Sequence, residues 1–118
     1  MRTGRAGPVT KVAGVDEVTD ADFAAEVLAA ELPVLVEFTA DWCPPCRQMA
    51  PVLRALAEEE GERLKVVQLN VDQNPETTNH YKVLSMPTFM VFRAGEPLKA
   101  MVGARPKRRL LEELSDVI

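Results

Sequence analysis

Val34-Leu35-Val36-Glu37-Phe38-Thr39-Ala40-Asp41-Trp42-Cys43-Pro44-Pro45-Cys46 leads from a strand-forming run into a cysteine pair, and the fold is read from this junction. Val34 to Phe38 is rich in β-branched residues and almost continuously apolar, as in a central strand covered on both faces. Cys43 and Cys46 are the only 2 cysteines of the 118 residues. At this separation they can pass between dithiol and disulfide with little backbone movement. So short a loop restricts little of the unfolded ensemble, and the bridge adds little stability by that route. Amid alternating strands and helices, a C-x-x-C is a redox motif.

With Cys43 as the N-cap of a following helix, its sulfur faces the free amides of the first turn and the positive end of the helix dipole. Both favour thiolate over thiol. Pro44 and Pro45 then take the first helical positions, where their fixed φ is tolerated. Neither carries an N–H, so the nearest amide able to reach the Cys43 sulfur is that of Cys46. Cys46, one turn in, is the more buried and less reactive thiol. The chemistry expected is attack by the Cys43 thiolate on a substrate disulfide, followed by attack of Cys46 on the mixed disulfide. A zinc site, the other use of a C-x-x-C, needs about four ligands; no further cysteine and a single histidine, His80, are at hand.

Outward from this junction the chain alternates. Val12 to Val15 is a short strand candidate, and Thr19 reads as the N-cap of a helix with acidic residues in its first turn. Beyond the cysteines, Met49, Val52, Leu53, Leu56 and Ala57 recur at helical spacing, with Pro51 expected to kink the helix. A strand over Lys65 to Val71 and a short helix within Asn74 to Tyr81 follow. Strands over Thr88 to Phe92 and Leu98 to Val102 are joined at Ala94-Gly95-Glu96. Pro106 opens a last amphipathic helix with Leu110, Leu111, Leu114 and Val117. The order β-α-β-α-β-α-β-β-α predicts an α/β fold with a mixed sheet of about five strands and helices on both faces.

Hydrophobic residues make up 47% and charged residues 27%, as in an ordinary globular domain. A formal net charge of -4 argues against nucleic acid or an anionic membrane surface as partner. Residues 1–11 contain Arg2 and Arg5 but no apolar run, and read as a flexible extension of a cytoplasmic protein, with the domain over 12–118. The two arginines are the only hint of a targeting peptide.

The segments Val34-Leu-Val-Glu-Phe, Ala40-Asp-Trp-Cys-Pro-Pro-Cys-Arg, Met49-Ala-Pro, Leu69-Asn-Val-Asp-Gln-Asn-Pro, Met86-Pro-Thr-Phe and Val102-Gly-Ala resemble the thioredoxin family, in its order and at its spacing. The resemblance runs over nearly all of the chain after about Val12. It implies the thioredoxin fold and a protein-disulfide reductase with Cys43 as nucleophile and Cys46 as resolving thiol. No cofactor or metal is called for. The implied partners are a thioredoxin reductase-like electron donor and disulfide-containing proteins, met by a monomer. It also implies a cis Met86–Pro87 peptide beside the cysteines, with the Met86 backbone pairing with an extended substrate segment. Trp42, Pro45, Met86, Pro87 and Gly103 would then surround the Cys43 sulfur as a flat apolar docking surface.

The chain departs from the family at several positions. The inner pair, usually Gly-Pro, is Pro44-Pro45. The family's buried aspartate is Glu37, a candidate proton acceptor for the resolving step. The lysine that commonly partners it is Gln68, so Glu37 should be easier to keep protonated. An exposed family tryptophan is Thr39, which leaves Trp42 as the single indole and a direct fluorescent reporter of redox state. His80 reads as a surface residue, and Arg105, Lys107, Arg108 and Arg109 as the solvated start of the last helix. Two other functions fit some of these features: a tryparedoxin-, nucleoredoxin- or isomerase-like oxidoreductase with a more oxidising couple, and a non-catalytic binding module.

Overall fold

Strand β2 (Val34–Thr39) is buried at every position, as its apolar run requires. The computed structural model describes residues 12–118. Ahead of β2 come strand β1 (Asp16–Glu17) and a π-helical turn (Ala24–Leu28). Behind it follow helices α1 (Pro44–Gln48) and α2 (Ala50–Glu59), strand β3 (Lys65–Asn70) and helix α3 (Pro75–His80). Strands β4 (Thr88–Arg93) and β5 (Glu96–Val102) and helix α4 (Lys107–Leu114) complete the chain. The strands form one 5-stranded sheet in the order β1-β3-β2-β4-β5. β2 pairs parallel with β3 and antiparallel with β4, so the sheet is mixed and β2 lies at its centre.

Because side chains alternate along a strand, β2 feeds two cores. Leu35 packs with Met49, Leu53, Leu56, Phe89, Leu110 and Leu114 under α2 and α4. Val34, Val36 and Phe38 pack on the opposite face with Phe23, Val27 and Phe92, beneath the π-helical turn. On that face Phe92 stands edge-on to Phe23 at 5.5 Å and to Tyr81 at 5.2 Å, tying β4 to the π-helical turn and to the end of α3.

Four expectations change in detail. Val12 to Val15 is not a strand. Gly14 takes a φ of +84°, and Val12 and Val15 turn inward into the core, while pairing with β3 begins at Asp16. Thr19 and Asp22 do exchange the side-chain-to-backbone hydrogen bonds of a capping box (Thr19 N to Asp22 Oδ1 2.6 Å, Asp22 N to Thr19 Oγ1 3.3 Å). The helix beyond them is a wide turn, closed by Ala29 N to Ala24 O at 2.9 Å. Pro51 does more than kink: the helix breaks at Met49, because Pro51 has no N–H to offer the Arg47 carbonyl and its ring crowds that group. Finally, Arg105 is not solvated but buried. Residues 1–11 lie outside the described residues.

Replacing Phe92, which is 1% exposed, by alanine removes the ring shared by three elements. Urea titration should show a loss of about 3–5 kcal/mol, with a lower midpoint and unchanged slope.

Candidate active site

α1 begins where β2's connection ends, and Cys43 is its N-cap at φ -106°, ψ 100°. Cys43 and Cys46 are joined as a disulfide with their Cα atoms 5.3 Å apart. Pro44 and Pro45 occupy the first turn, and the Cys43 sulfur accepts one hydrogen bond there, from Cys46 N at 3.3 Å. Pro44 and Pro45 thus leave a single amide of the first turn facing the sulfur. Both cysteines are buried, Cys43 at 3% and Cys46 at 1% exposure, so their difference lies in geometry more than in access. They pack with Ala40, Val71 and Met86.

The loop before β4 reaches the same place. Met86–Pro87 is a cis peptide, and Cys43 Sγ lies 3.5 Å from Met86 O. Pro87 O in turn accepts from Gly103 N at 2.8 Å, which brings the turn after β5 alongside. Gly103 has a φ of +101°, a conformation that side chains rarely adopt. Met86 and Gly103 are half-buried and Pro45 is exposed, whereas Pro87 is buried. Of the residues expected to surround the sulfur, Pro87 is thus the one with no exposed surface to offer.

Trp42 is 62% exposed, yet its indole is held: Nε1 donates to Asp72 Oδ2 at 2.8 Å. Asn70 Oδ1 accepts from Asp72 N at 3.0 Å, and Asn70 Nδ2 donates to Asp41 Oδ1 at 3.2 Å. Asp72 thus holds the ring, and Asn70 at the end of β3 ties Asp72 to Asp41 beside Trp42. Sequence reasoning quoted these residues within its motifs but assigned none of them this task, since the partners stand 29 and 30 positions apart. Two apolar side chains close in sequence to Met86 and Gly103 are also exposed, Leu84 two positions before the one and Val102 next to the other.

The strand register aligns Gln68, Glu37, Phe89 and Met101 across the sheet. Glu37 shares the face of Leu35, the one α2 covers, and is fully buried. Its Oε1 accepts from Gln68 Nε2 at 2.9 Å, while Oε2 has no hydrogen-bond partner. Burial pushes the carboxyl up to about 7, against the smaller opposing effect of the Gln68 hydrogen bond. Gln68 Oε1 accepts from Val12 N at 3.0 Å, so the residue that replaces a cation is itself anchored at both ends. Thr39, two residues on, is buried at 2%, so the position is not a surface one here. His80 is exposed and stacks edge-on against Tyr81 at 4.7 Å, away from the cysteines' cluster. Among the described residues no three His, Cys, Asp or Glu side chains stand together as a metal site.

Comparison with known proteins agrees with this geometry. The thioredoxin family profile matches residues 14–116. The chain is 51% identical to the thioredoxin of Mycobacterium tuberculosis (strain ATCC 25618 / H37Rv) over 102 residues, 86% of this chain and 88% of that one. It is 52% identical to the thioredoxin of Streptomyces clavuligerus over 101 residues, covering 85% and 94% of the two chains. It is also 50% identical over 109 residues to the bifunctional thioredoxin reductase/thioredoxin of Mycobacterium leprae, of which it spans 24%. Agreement of this extent means that the chain belongs to the thioredoxin family, and its Cys43–Cys46 couple makes it a thiol–disulfide oxidoreductase that reduces protein disulfides.

Proposed function

We propose that Cys43 is the attacking thiolate, Cys46 the resolving thiol and Glu37 the acceptor of the Cys46 proton. The observation that carries the assignment is the N-cap geometry: the Cys43 sulfur, not that of Cys46, receives the first-turn amide and lies against Met86 O. In the reaction the Cys43 thiolate attacks one sulfur of the substrate disulfide, and the other leaves as a thiolate. Cys46 then gives its proton to Glu37 and attacks Cys43 Sγ. The Cys43–Cys46 bond forms, the bond to substrate breaks, and the substrate departs fully reduced with both electrons. Met86 and Pro87 orient the incoming chain, and Trp42, Pro45 and Gly103 give it a surface.

The oxidised pair is returned to dithiol by a thioredoxin reductase-like donor, a reading supported by the relative that is named for both activities. We take the protein to act as a monomer in the cytoplasm, with residues 1–11 as an extension of the domain. No helix among the described residues is long and apolar enough to cross a membrane.

Cys46→Ser leaves the attacking thiolate without a resolving partner. Incubated with oxidised protein substrates, it should accumulate mixed disulfides through Cys43, visible as dithiothreitol-sensitive adducts on non-reducing gels. Adducts that survive additional loss of Cys43 would reverse the order of attack.

Glu37 yields a second test. Its carboxyl ionises at about 7 in the fold against 4.5 ordinarily, so the folded state holds the proton more tightly. Its contribution to stability is complete below about pH 4.5 and is lost as the pH rises through about 7. Relative to Glu37→Gln, the native protein should lose about 2–3 kcal/mol between about pH 5 and 8. In the same variant the resolving step should slow by about 10²-fold at alkaline pH and lose its inflection near neutrality. Superimposable pH–rate profiles would remove Glu37 from the mechanism.

A further inference from the structure

Arg105 stands outside the cysteine cluster but is tied to both sides of the site. Its side chain is 5% exposed. Nη1 donates to both oxygens of Glu113 on α4, at 2.8 and 2.7 Å. Nε donates to Gly103 O at 3.0 Å, and Nη2 donates to Val102 O. One guanidinium therefore holds two consecutive carbonyls of the turn that leaves β5 and braces them against the last helix. The backbone N–H of Arg105 also points at Met49 Sδ, 3.4 Å away, at the break between α1 and α2. The turn it grips is the one whose Gly103 N–H hangs from Pro87 O, a single peptide away from the Met86 carbonyl that touches the Cys43 sulfur.

An arginine in this place is costly unless each donor has a partner. A planar fork can meet a carboxylate and two carbonyls together, whereas a lysine ammonium is a point charge on a flexible stem. With its φ of +101°, the Gly103 backbone has no side chain to lock it, so its orientation depends on what holds its carbonyl.

We propose that the Arg105–Glu113 pair is a positioning device for substrate. It sets the Val102–Gly103 edge of the docking surface, so that an extended chain carrying the target disulfide lies against the Met86 backbone. The inference rests on the docking role given above to Met86 and Gly103. Arg105 itself touches neither sulfur nor substrate.

The test mixes reduced protein with increasing oxidised insulin in a stopped-flow instrument and follows Trp42 fluorescence. It is applied to the native protein, Arg105→Met, Arg105→Lys and Glu113→Gln. The half-saturating insulin concentration should rise about tenfold in Arg105→Met, while the limiting rate changes less than twofold. Arg105→Lys and Glu113→Gln should fall between it and the native protein, and Arg105→Lys carries the test if the methionine variant does not fold. The rate with a small aromatic disulfide, which has no chain to lay along the turn, should change less than the insulin half-saturation. Folded variants with a lower melting temperature but native half-saturation would make the pair purely structural and overturn the proposal. A native protein that fails to reduce insulin would instead overturn the docking reading beneath it.

Discussion

Burial of β2 on both faces is the constraint from which the rest follows. A strand with no solvent-facing side must be paired on both edges and covered by helices above and below, and β3, β4, α2, α4 and the π-helical turn supply that cover. The same burial carries Glu37 into the interior, where its charge is disfavoured. It also delivers the chain, at the carboxyl end of the strand, to the point where a helix must start. The cysteines stand at that start. Strand burial, the raised carboxyl and the thiolate-favouring N-cap are thus consequences of one arrangement.

The site is assembled from three connections that are remote in sequence and adjacent in space. The β2–α1 junction brings the sulfurs, the loop before β4 brings Met86 and Pro87, and the turn after β5 brings Gly103. Backbone groups link them: Met86 O lies against the sulfur, and Pro87 O accepts from Gly103 N. Backbone contacts of this kind tolerate changes of the side chains that flank them. Side chains do the fixing from behind, with Asp72 on the indole of Trp42 and Arg105 on the carbonyls of the last turn.

Much of this was legible in the chain. The run Val34 to Phe38, the strand over Thr88 to Phe92, the helix opened by Pro106 and the single amide left to the Cys43 sulfur all rest on local rules. These are periodicity, the missing N–H of proline and the N-cap preference, and each acts within a few residues. Reading failed where a long-range partner overrode the local signal. Val12 and Val15 are β-branched enough for a strand, but the core took them as inward turn residues. Arg105 sits in a basic cluster and reads as solvated, yet Glu113, eight residues on, draws it inward. The resemblance set Pro87 among the docking-surface residues, whereas the fold buries it.

By itself, the sequence determined the alternation of strands and helices, the pairing of the two thiols and the N-cap place of Cys43. Spacing and backbone valence dictate those without reference to the remainder of the chain. Only the tertiary structure decided that Glu37 keeps one oxygen unpartnered, that Gln68 bridges the Glu37 carboxyl and the Val12 amide, and that an arginine holds the turn beside the cis proline. Those facts depend on which strands lie side by side and in what register. Register is a property of the packed sheet, not of any one segment.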